Sequence, residues 1–300
     1  MPDGLPIHRT RRILLASDLT CGCDRALRRA ALLSKVWHAE LVALHVIEQA
    51  AEFPVERCAR EIPSWRRAPD RRSLAESQLR ADVLEHAPSG RVLIHRGNAN
   101  KAILNVAARY DVDVVVTGVP RSNAFGLLPS GATINSLARK SNTPILVVRN
   151  KPRFEYRTVV VTSDFSESSQ PTLHAALRLF PNSTVLLFHA FRVPGRGLLN
   201  DDHAIWQFGQ SIEQQARSFL LECSMTTDFD EARVKVVIEH GQMEWLLRDY
   251  VRAENVDLVV SGTVRQPAIM DLLIGSAAKR LLETIPSDLM IVPQPRRNVS

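Results

Sequence analysis

The sequence predicts an α/β protein built from two tandem doubly wound parallel-sheet domains, residues 1–150 and 151–300. Short Val/Ile/Leu-rich runs alternate with helical stretches, the pattern of a parallel sheet buried on both faces. The same order of features occurs twice in one register. His45 and His189, Gly97 and Gly241, Gly118 and Gly262, and Gly131 and Gly275 are each 144 residues apart. A chain of 300 residues is also about twice the usual length of one domain.

In the first repeat, a strand over residues 12–17 ends at Asp18, and an Ala/Leu-rich helix follows. A second strand over 41–45 leads into a long loop from about Gln49 to Arg72 and then a helix. The third strand covers 92–97. The helix after it carries apolar residues at i, i+3 and i+4 over 102–109. The fourth strand runs over 113–118. A crossing loop, a last helix and a strand over 145–148 complete the unit. The second repeat places its strands at 158–164, 185–189, 236–241, 257–262 and 289–292, with a long loop over 192–210. Only the step from Asp18 to Asp164 differs, at 146, so the first helical region of the second repeat is two residues shorter. The boundary falls near Asn150 and Pro152, where a strand ends and polar residues intervene.

Composition removes several classes. Hydrophobic residues at 45% and charged residues at 23% are globular values, which excludes disordered and fibrous chains. No apolar run approaches the roughly 18 residues of a membrane span, and residues 1–12 lack the apolar core of a secretory signal. Cys21, Cys23, Cys58 and Cys223 are too scattered for a disulfide framework. A soluble cytoplasmic protein with no membrane partner is expected. The net charge of +6 is divided unevenly: 22 basic against 14 acidic residues in the first half, and 16 against 18 in the second. Nucleic acid is not the expected partner, because no zinc spacing or aromatic RNA-binding pattern accompanies the basic half.

In doubly wound sheets, ligands bind beyond the carboxyl ends of the strands, where strand order reverses. The most informative segment there follows the fourth strand. Gly118 is followed by Arg121, nine further residues, and then Gly131, Ala132 and Thr133. Gly262 is followed by Arg265, nine residues, and then Gly275, Ser276 and Ala277. A strand-end glycine and a small residue opening a helix let backbone N–H groups approach a phosphate. A turn glycine with an ordinary helix cap would look the same in one copy. Two copies with one spacing favour the ligand.

Further marks are Thr162-Ser163-Asp164-Phe165-Ser166-Glu167 after one first strand and Leu44-His45-Val46-Ile47 at one second strand. With them the chain resembles a tandem universal stress protein, over nearly its whole length. The resemblance implies the adenine-nucleotide α-hydrolase-like fold and a stress-response regulator that binds ATP or AMP, with Mg2+ as the ion that can accompany ATP. It implies pairing of the two domains through the strands at 145–148 and 289–292, and allows a homodimer. By the same resemblance, Asp18 with Ala16 and Ser17, and Asp164 with Thr162 and Ser163, line the nucleotide site. Val46 and Ala190 meet adenine. Gly118, Gly262, Gly131 and Gly275 match the outer glycines of the phosphate loop, and Ala132 and Ser276 its hydroxyl position, followed by Thr133 and Ala277.

Arg121 and Arg265 stand where the family pattern has its middle glycine. Either the guanidinium grips phosphate or the side chain fills the site. With Gly275 and Ser276, the second repeat is the better nucleotide candidate.

Other features read as structural. Residues 126–133 imitate a phosphate-binding P-loop, but Ala132 takes the place of its lysine. Cys21 and Cys23 lack a second ligand pair for a metal. His45 and His189 read as hydrogen-bonded core histidines rather than acid/base groups. No catalytic set is recognisable. The two long loops read equally as lids, partner surfaces or variable connections.

The expected function is a nucleotide-binding sensor or switch, not an enzyme, although slow ATP hydrolysis stays compatible. The alternative is a nucleotide-free scaffold that recruits a protein partner through the basic first domain. An enzyme of the wider adenine-binding group is weakened by the lack of an S-G-G-x-D-S or H-I-G-H motif.

Overall fold

The structure, a computed structural model, describes residues 11–48, 70–119, 132–193, 202–227, 229–263 and 276–294. The chain divides into two compact units, Met1–Thr133 with Lys151–Arg153, and Ile134–Asn150 with Phe154–Ser300.

The first unit contains β1 (Arg12–Ser17), α1 (Asp24–Val36), β2 (Glu40–Ile47), α2 (Arg71–His86), β3 (Arg91–Arg96), α3 (Ala99–Arg109) and β4 (Val114–Gly118). Its strands are parallel in the order β3-β2-β1-β4. The chain opens in the middle of the sheet and builds outward on one side before crossing to the other. Strand order therefore reverses beside β1. Ile13, Leu14 and Leu15 are buried, as are Val114, Val115 and Val116 in β4. A run apolar on both faces is stable only with helices on both sides, and α1 covers it with Ala26, Leu27, Ala30, Ala31 and Leu33.

The helix α4 (Ala132–Lys140) leads to β5 (Ile145–Val148), which lies in the second unit. That unit continues with β6 (Thr158–Thr162), a 3-10 turn over Glu167–Ser169, α5 (Gln170–Leu179), β7 (Thr184–Phe191) and α6 (Asp202–Thr226). It ends with β8 (Val234–His240), α7 (Met243–Ala253), β9 (Leu258–Gly262), α8 (Ser276–Thr284) and β10 (Asp288–Val292). The strand order is β5-β10-β9-β6-β7-β8, with the reversal beside β6. Among the described residues of this unit β5 alone runs antiparallel to its neighbour, with Val147 opposite Leu289 and Ile145 opposite Ile291. The expected pairing of the last strand of each repeat is thus present.

Local chemistry repeats with the sequence. α3 and α7 both leave through a residue at positive φ, Asp111 at 49° and Asn255 at 49°. In both, the next N–H reaches back into the last turn, from Val112 to the Ala107 carbonyl at 3.1 Å and from Val256 to that of Val251 at 3.0 Å. Asp and Asn tolerate this left-handed geometry better than most residues, and the bond satisfies a helix-end carbonyl.

One expectation needs correction. The long loop placed over 192–210 is shorter, because α6 starts at Asp202 and runs for 25 residues. Ile212, Ala216, Phe219 and Cys223 form its buried stripe, and Ile205 lies seven residues before Ile212 on the same face, so the helical period continues to the start. The loop at 49–69 lies outside the described residues.

The segment joining the repeats is tied to β10 by one carboxylate. Asp288 is fully buried. Its Oδ1 accepts from the backbone N–H groups of Arg149 at 2.8 Å and Asn150 at 2.9 Å, and its Oδ2 from the Tyr156 hydroxyl at 2.6 Å. Asn150 Nδ2 donates to the Pro286 carbonyl, the Arg149 guanidinium donates to that of Leu282, and the Tyr156 ring meets Phe180 edge-on at 5.4 Å. Asp288→Ala leaves a buried hydroxyl and two partly buried N–H groups without their acceptor. We expect a loss of about 3 kcal/mol of stability in urea denaturation. Asp288→Asn should lose less, and a loss below about 1 kcal/mol in the alanine variant would show that the clamp contributes little.

Candidate functional site

Parallel strands gather all their carboxyl ends at one edge, so the edge beside each reversal is built from the residues that leave β1 and β6. At both places the chain makes the same turn. The Ser17 hydroxyl accepts from the N–H of Leu19 at 3.1 Å, and the Ser163 hydroxyl from that of Phe165 at 2.9 Å. Leu19 and Phe165 both have φ of 58°. Asp18 Oδ1 accepts from the N–H and hydroxyl of Thr20 at 2.9 and 2.7 Å. Asp164 Oδ1 accepts from the N–H of Ser166 at 3.0 Å and from the hydroxyls of Ser166 and Ser169 at 2.5 and 2.6 Å. Five residues after each aspartate, a side chain accepts its N–H: Cys23 Sγ for Asp18 and Ser169 Oγ for Asp164, both at 3.4 Å.

These bonds set the charge state. Partial burial raises the Asp164 carboxyl, but hydrogen bonds from Ser166 and Ser169 outweigh it and hold the group below its usual value. Asp18 is lowered in the same way, against burial, by Cys23 and Thr20. Burial pushes the Cys23 thiol up to about 12. Cys23 is therefore a neutral thiol at physiological pH and fills the underside of the turn, which is neither a metal ligand's nor a nucleophile's state. Among the described residues no His/Cys/Asp/Glu cluster could hold a metal ion.

The strand-end glycines are explained by close approach. A Cβ on Gly118 would lie 2.6 Å from the Gly22 carbonyl oxygen, and one on Gly262 would lie 2.6 Å from Thr172 Oγ1. The loop entering α1, or the first turn of α5, presses directly on the end of the neighbouring strand. Glycine is needed here whether or not a phosphate binds.

The predicted residues fall as follows. Ala16 and Ser17 end β1, Thr162 ends β6, and Asp18, Ser163 and Asp164 follow them. Val46 lies in β2 and Ala190 in β7, while Gly118 and Gly262 end β4 and β9. Ala132 and Thr133 are the first described residues of α4, and Ser276 and Ala277 those of α8. Arg121, Gly131, Arg265 and Gly275 lie outside the described residues. Ala16 pairs with Thr117 across β1 and β4. In the second unit, Thr162 Oγ1 donates to Ser261 Oγ at 3.1 Å, a hydroxyl pair the first lacks.

Sequence reasoning missed Cys23, Ser169 and Thr172 as parts of the turns. For Cys23 and Ser169 the shared spacing of five after Asp18 and Asp164 was the available signal. A groove of about 700 Å³ lies elsewhere in the second unit, lined by Pro144, Pro171, His174, Arg178, Phe229 and Pro293 among others, and by none of the predicted site residues.

The universal stress protein family model matches the chain twice, over residues 9–149 and 155–293, one match to each repeat. The chain belongs to the universal stress protein family. No curated protein sequence matches it. Two solved structures share its fold along nearly the whole chain. A universal stress protein from Archaeoglobus fulgidus DSM 4304 has 14% identity and a TM-score of 0.66, covering 96% of this chain and 100% of that one. A functionally unknown protein from Pseudomonas aeruginosa PAO1 has 16% identity and a TM-score of 0.63, covering 95% and 93%. In this universal stress protein, no helix among the described residues is long and apolar enough to cross a membrane.

Two outcomes test the turns. Gly262→Ala should cost about 1–3 kcal/mol through overpacking, and Thr172→Ala in the same chain should recover part of that loss. No side-chain truncation should recover Gly118→Ala, whose obstacle is the Gly22 backbone. Equal coupling at both sites would refute the packing account. The second outcome concerns pH. Because the folded-state value of Asp164 is depressed, its charge stabilises the fold above the ordinary value of 3.8, and that contribution disappears as pH falls through the lower folded value. The stability difference between wild type and Asp164→Asn should be constant from neutrality to about pH 5 and shrink in acid. A difference independent of pH would remove the charge from the account.

Proposed function

We propose that the chain binds an adenine nucleotide, ATP or AMP, at the carboxyl edge of at least one repeat. On this reading it is a cytoplasmic stress-response sensor or switch rather than a metabolic enzyme. The observation that carries the reading is the same Ser–Asp turn built twice beside the strand-order reversal. In the second repeat, Asp164 Oδ1 holds the turn, and its Oδ2 has no hydrogen-bond partner among the described residues. That oxygen is an exposed acceptor for a ribose hydroxyl or a base amine. α8 runs from Ser276, and the first turn of a helix offers N–H donors and a positive dipole end to phosphate.

The residues present fit such a ligand. Asp18 and Asp164 would accept from the nucleoside, Val46 and Ala190 would adjoin the base, and the starts of α4 and α8 would hold phosphate. Mg2+ would come with ATP through the phosphate oxygens. Binding would change the order of the edge, and a protein partner would read that change. The close packing of Gly118 and Gly262 supports a second reading, in which the fold is kept without nucleotide and the basic first domain recruits the partner.

The test is the nucleotide carried by the purified protein, together with calorimetric titration of ATP and AMP. Binding at one or two sites is expected, weakened about tenfold by Asp164→Ala if the second repeat is occupied. No binding of either nucleotide at millimolar concentration would leave the scaffold. Arg265→Gly then separates the two roles of the arginine: lower affinity means a phosphate grip, and higher affinity means a plug.

A further inference from the structure

We propose that His45 and His189 are positioning residues, each locked in the Nδ1–H tautomer, that set the Ser–Asp turn of its repeat. His45 Nδ1 lies 2.9 Å from the Ser17 carbonyl oxygen, and His189 Nδ1 lies 2.8 Å from that of Ser163. A carbonyl oxygen has no proton to give, so Nδ1 is the donor in both. The neutral ring then has its acceptor lone pair on Nε2, the reverse of the tautomer that free imidazole side chains prefer in water.

The placement explains why the bond is needed. Ser17 faces His45 in the β1–β2 register, and the Ser163 N–H still donates to the Phe188 carbonyl of β7 at 3.1 Å. Two residues later the chain is at φ of 58° and has left the sheet. The carbonyl of the departing serine directly precedes the aspartate of the site. An imidazole on the neighbouring strand reaches across to it, so the turn can begin at the end of the strand with its carbonyl satisfied. In the second repeat the ring is held further: Phe165, the residue at positive φ, packs against His189 in a tilted contact with ring centroids 4.9 Å apart, and Phe219 of α6 backs Phe165 at 5.9 Å. Among the described residues, Nε2 of neither ring has a hydrogen-bond partner. In that neutral tautomer each half-buried ring presents an acceptor, not a donor, to a ligand with an N–H or O–H group.

The role rests on the nucleotide reading only where ligand affinity is measured. The first test uses the full chain labelled with nitrogen-15 and free of nucleotide. Two-bond nitrogen–proton correlation should show a protonated Nδ1 and a bare Nε2 for both rings. An Nε2–H tautomer at either one overturns the lock.

The second test compares the double variant His45→Asn/His189→Asn, which keeps an N–H near the Nδ1 position, with His45→Phe/His189→Phe. ATP affinity should fall about tenfold in the phenylalanine pair and stay within about threefold of wild type in the asparagine pair. Equal losses overturn positioning. If wild type binds neither ATP nor AMP, the nucleotide reading fails by itself, and amide exchange at Leu19 and Phe165 decides. Protection should survive in the asparagine pair and be lost in the phenylalanine pair, and equal exchange refutes the proposal. Should the phenylalanine pair not fold, the tautomer of the wild-type rings decides alone.

Discussion

A central strand that leaves its sheet abruptly exposes a carbonyl that its neighbours no longer pair, and the answer to that problem organises both edges of this molecule. At Ser17 and Ser163 the carbonyl accepts from an imidazole on the next strand. The serine hydroxyl accepts the N–H two residues on, a residue at positive φ reverses the chain, and an aspartate gathers the donors that follow. The turn is tight enough that the loop behind it rests against Gly118, or the first turn of α5 against Gly262. The glycines, the small residues around them and the outward-facing carboxylate all follow from where the strand stops.

Much of the fold could be read from the chain because buried parallel strands are written as continuous apolar runs and the 144-residue register repeats them. Residues 113–118 and 257–262 contain β4 and β9, and the pairing of 145–148 with 289–292 is present. The start of α6 was not legible, since Gly195, Gly197 and the adjacent aspartates resemble loop composition while the apolar stripe is sparse there. At the edge, sequence reasoning selected Ser17, Asp18, Ser163 and Asp164 as lining a site, and these residues lie where the chain leaves β1 and β6, but the bonds among them were not foreseen. Those bonds reach across strands or back from a helix start, where linear spacing gives little warning. Cys23 was set aside as a metal ligand for want of a second ligand pair, and its sulfur is the acceptor for an aspartate N–H. Gly118 and Gly262 looked like phosphate-loop glycines, and both are in close packing before any ligand is considered, against backbone at Gly118 and against the Thr172 side chain at Gly262.

The two repeats keep one architecture with unequal surroundings. The second adds a hydroxyl pair, Thr162 with Ser261, and an aromatic backing of Phe165, His189 and Phe219. Its α6 has 25 residues, and the corresponding α2 has 16. More buried and aromatic support beneath a turn means fewer alternative positions for the groups it displays. The acidic half thus presents the more firmly supported edge, while the net positive charge resides in the other half.

Asp288 occupies the position that Pro144 holds in the first repeat. Proline carries no carboxylate, so the clamp on the joining segment exists once and points one way. Two copies of a common ancestor could have been fused in either order, but only the copy in second place now owns the anchor for the chain that precedes it. The duplication has thereby acquired a polarity. Its halves are no longer interchangeable parts, and a protein assembled from them in reverse would arrive at its junction with a proline where the buried acceptor should be.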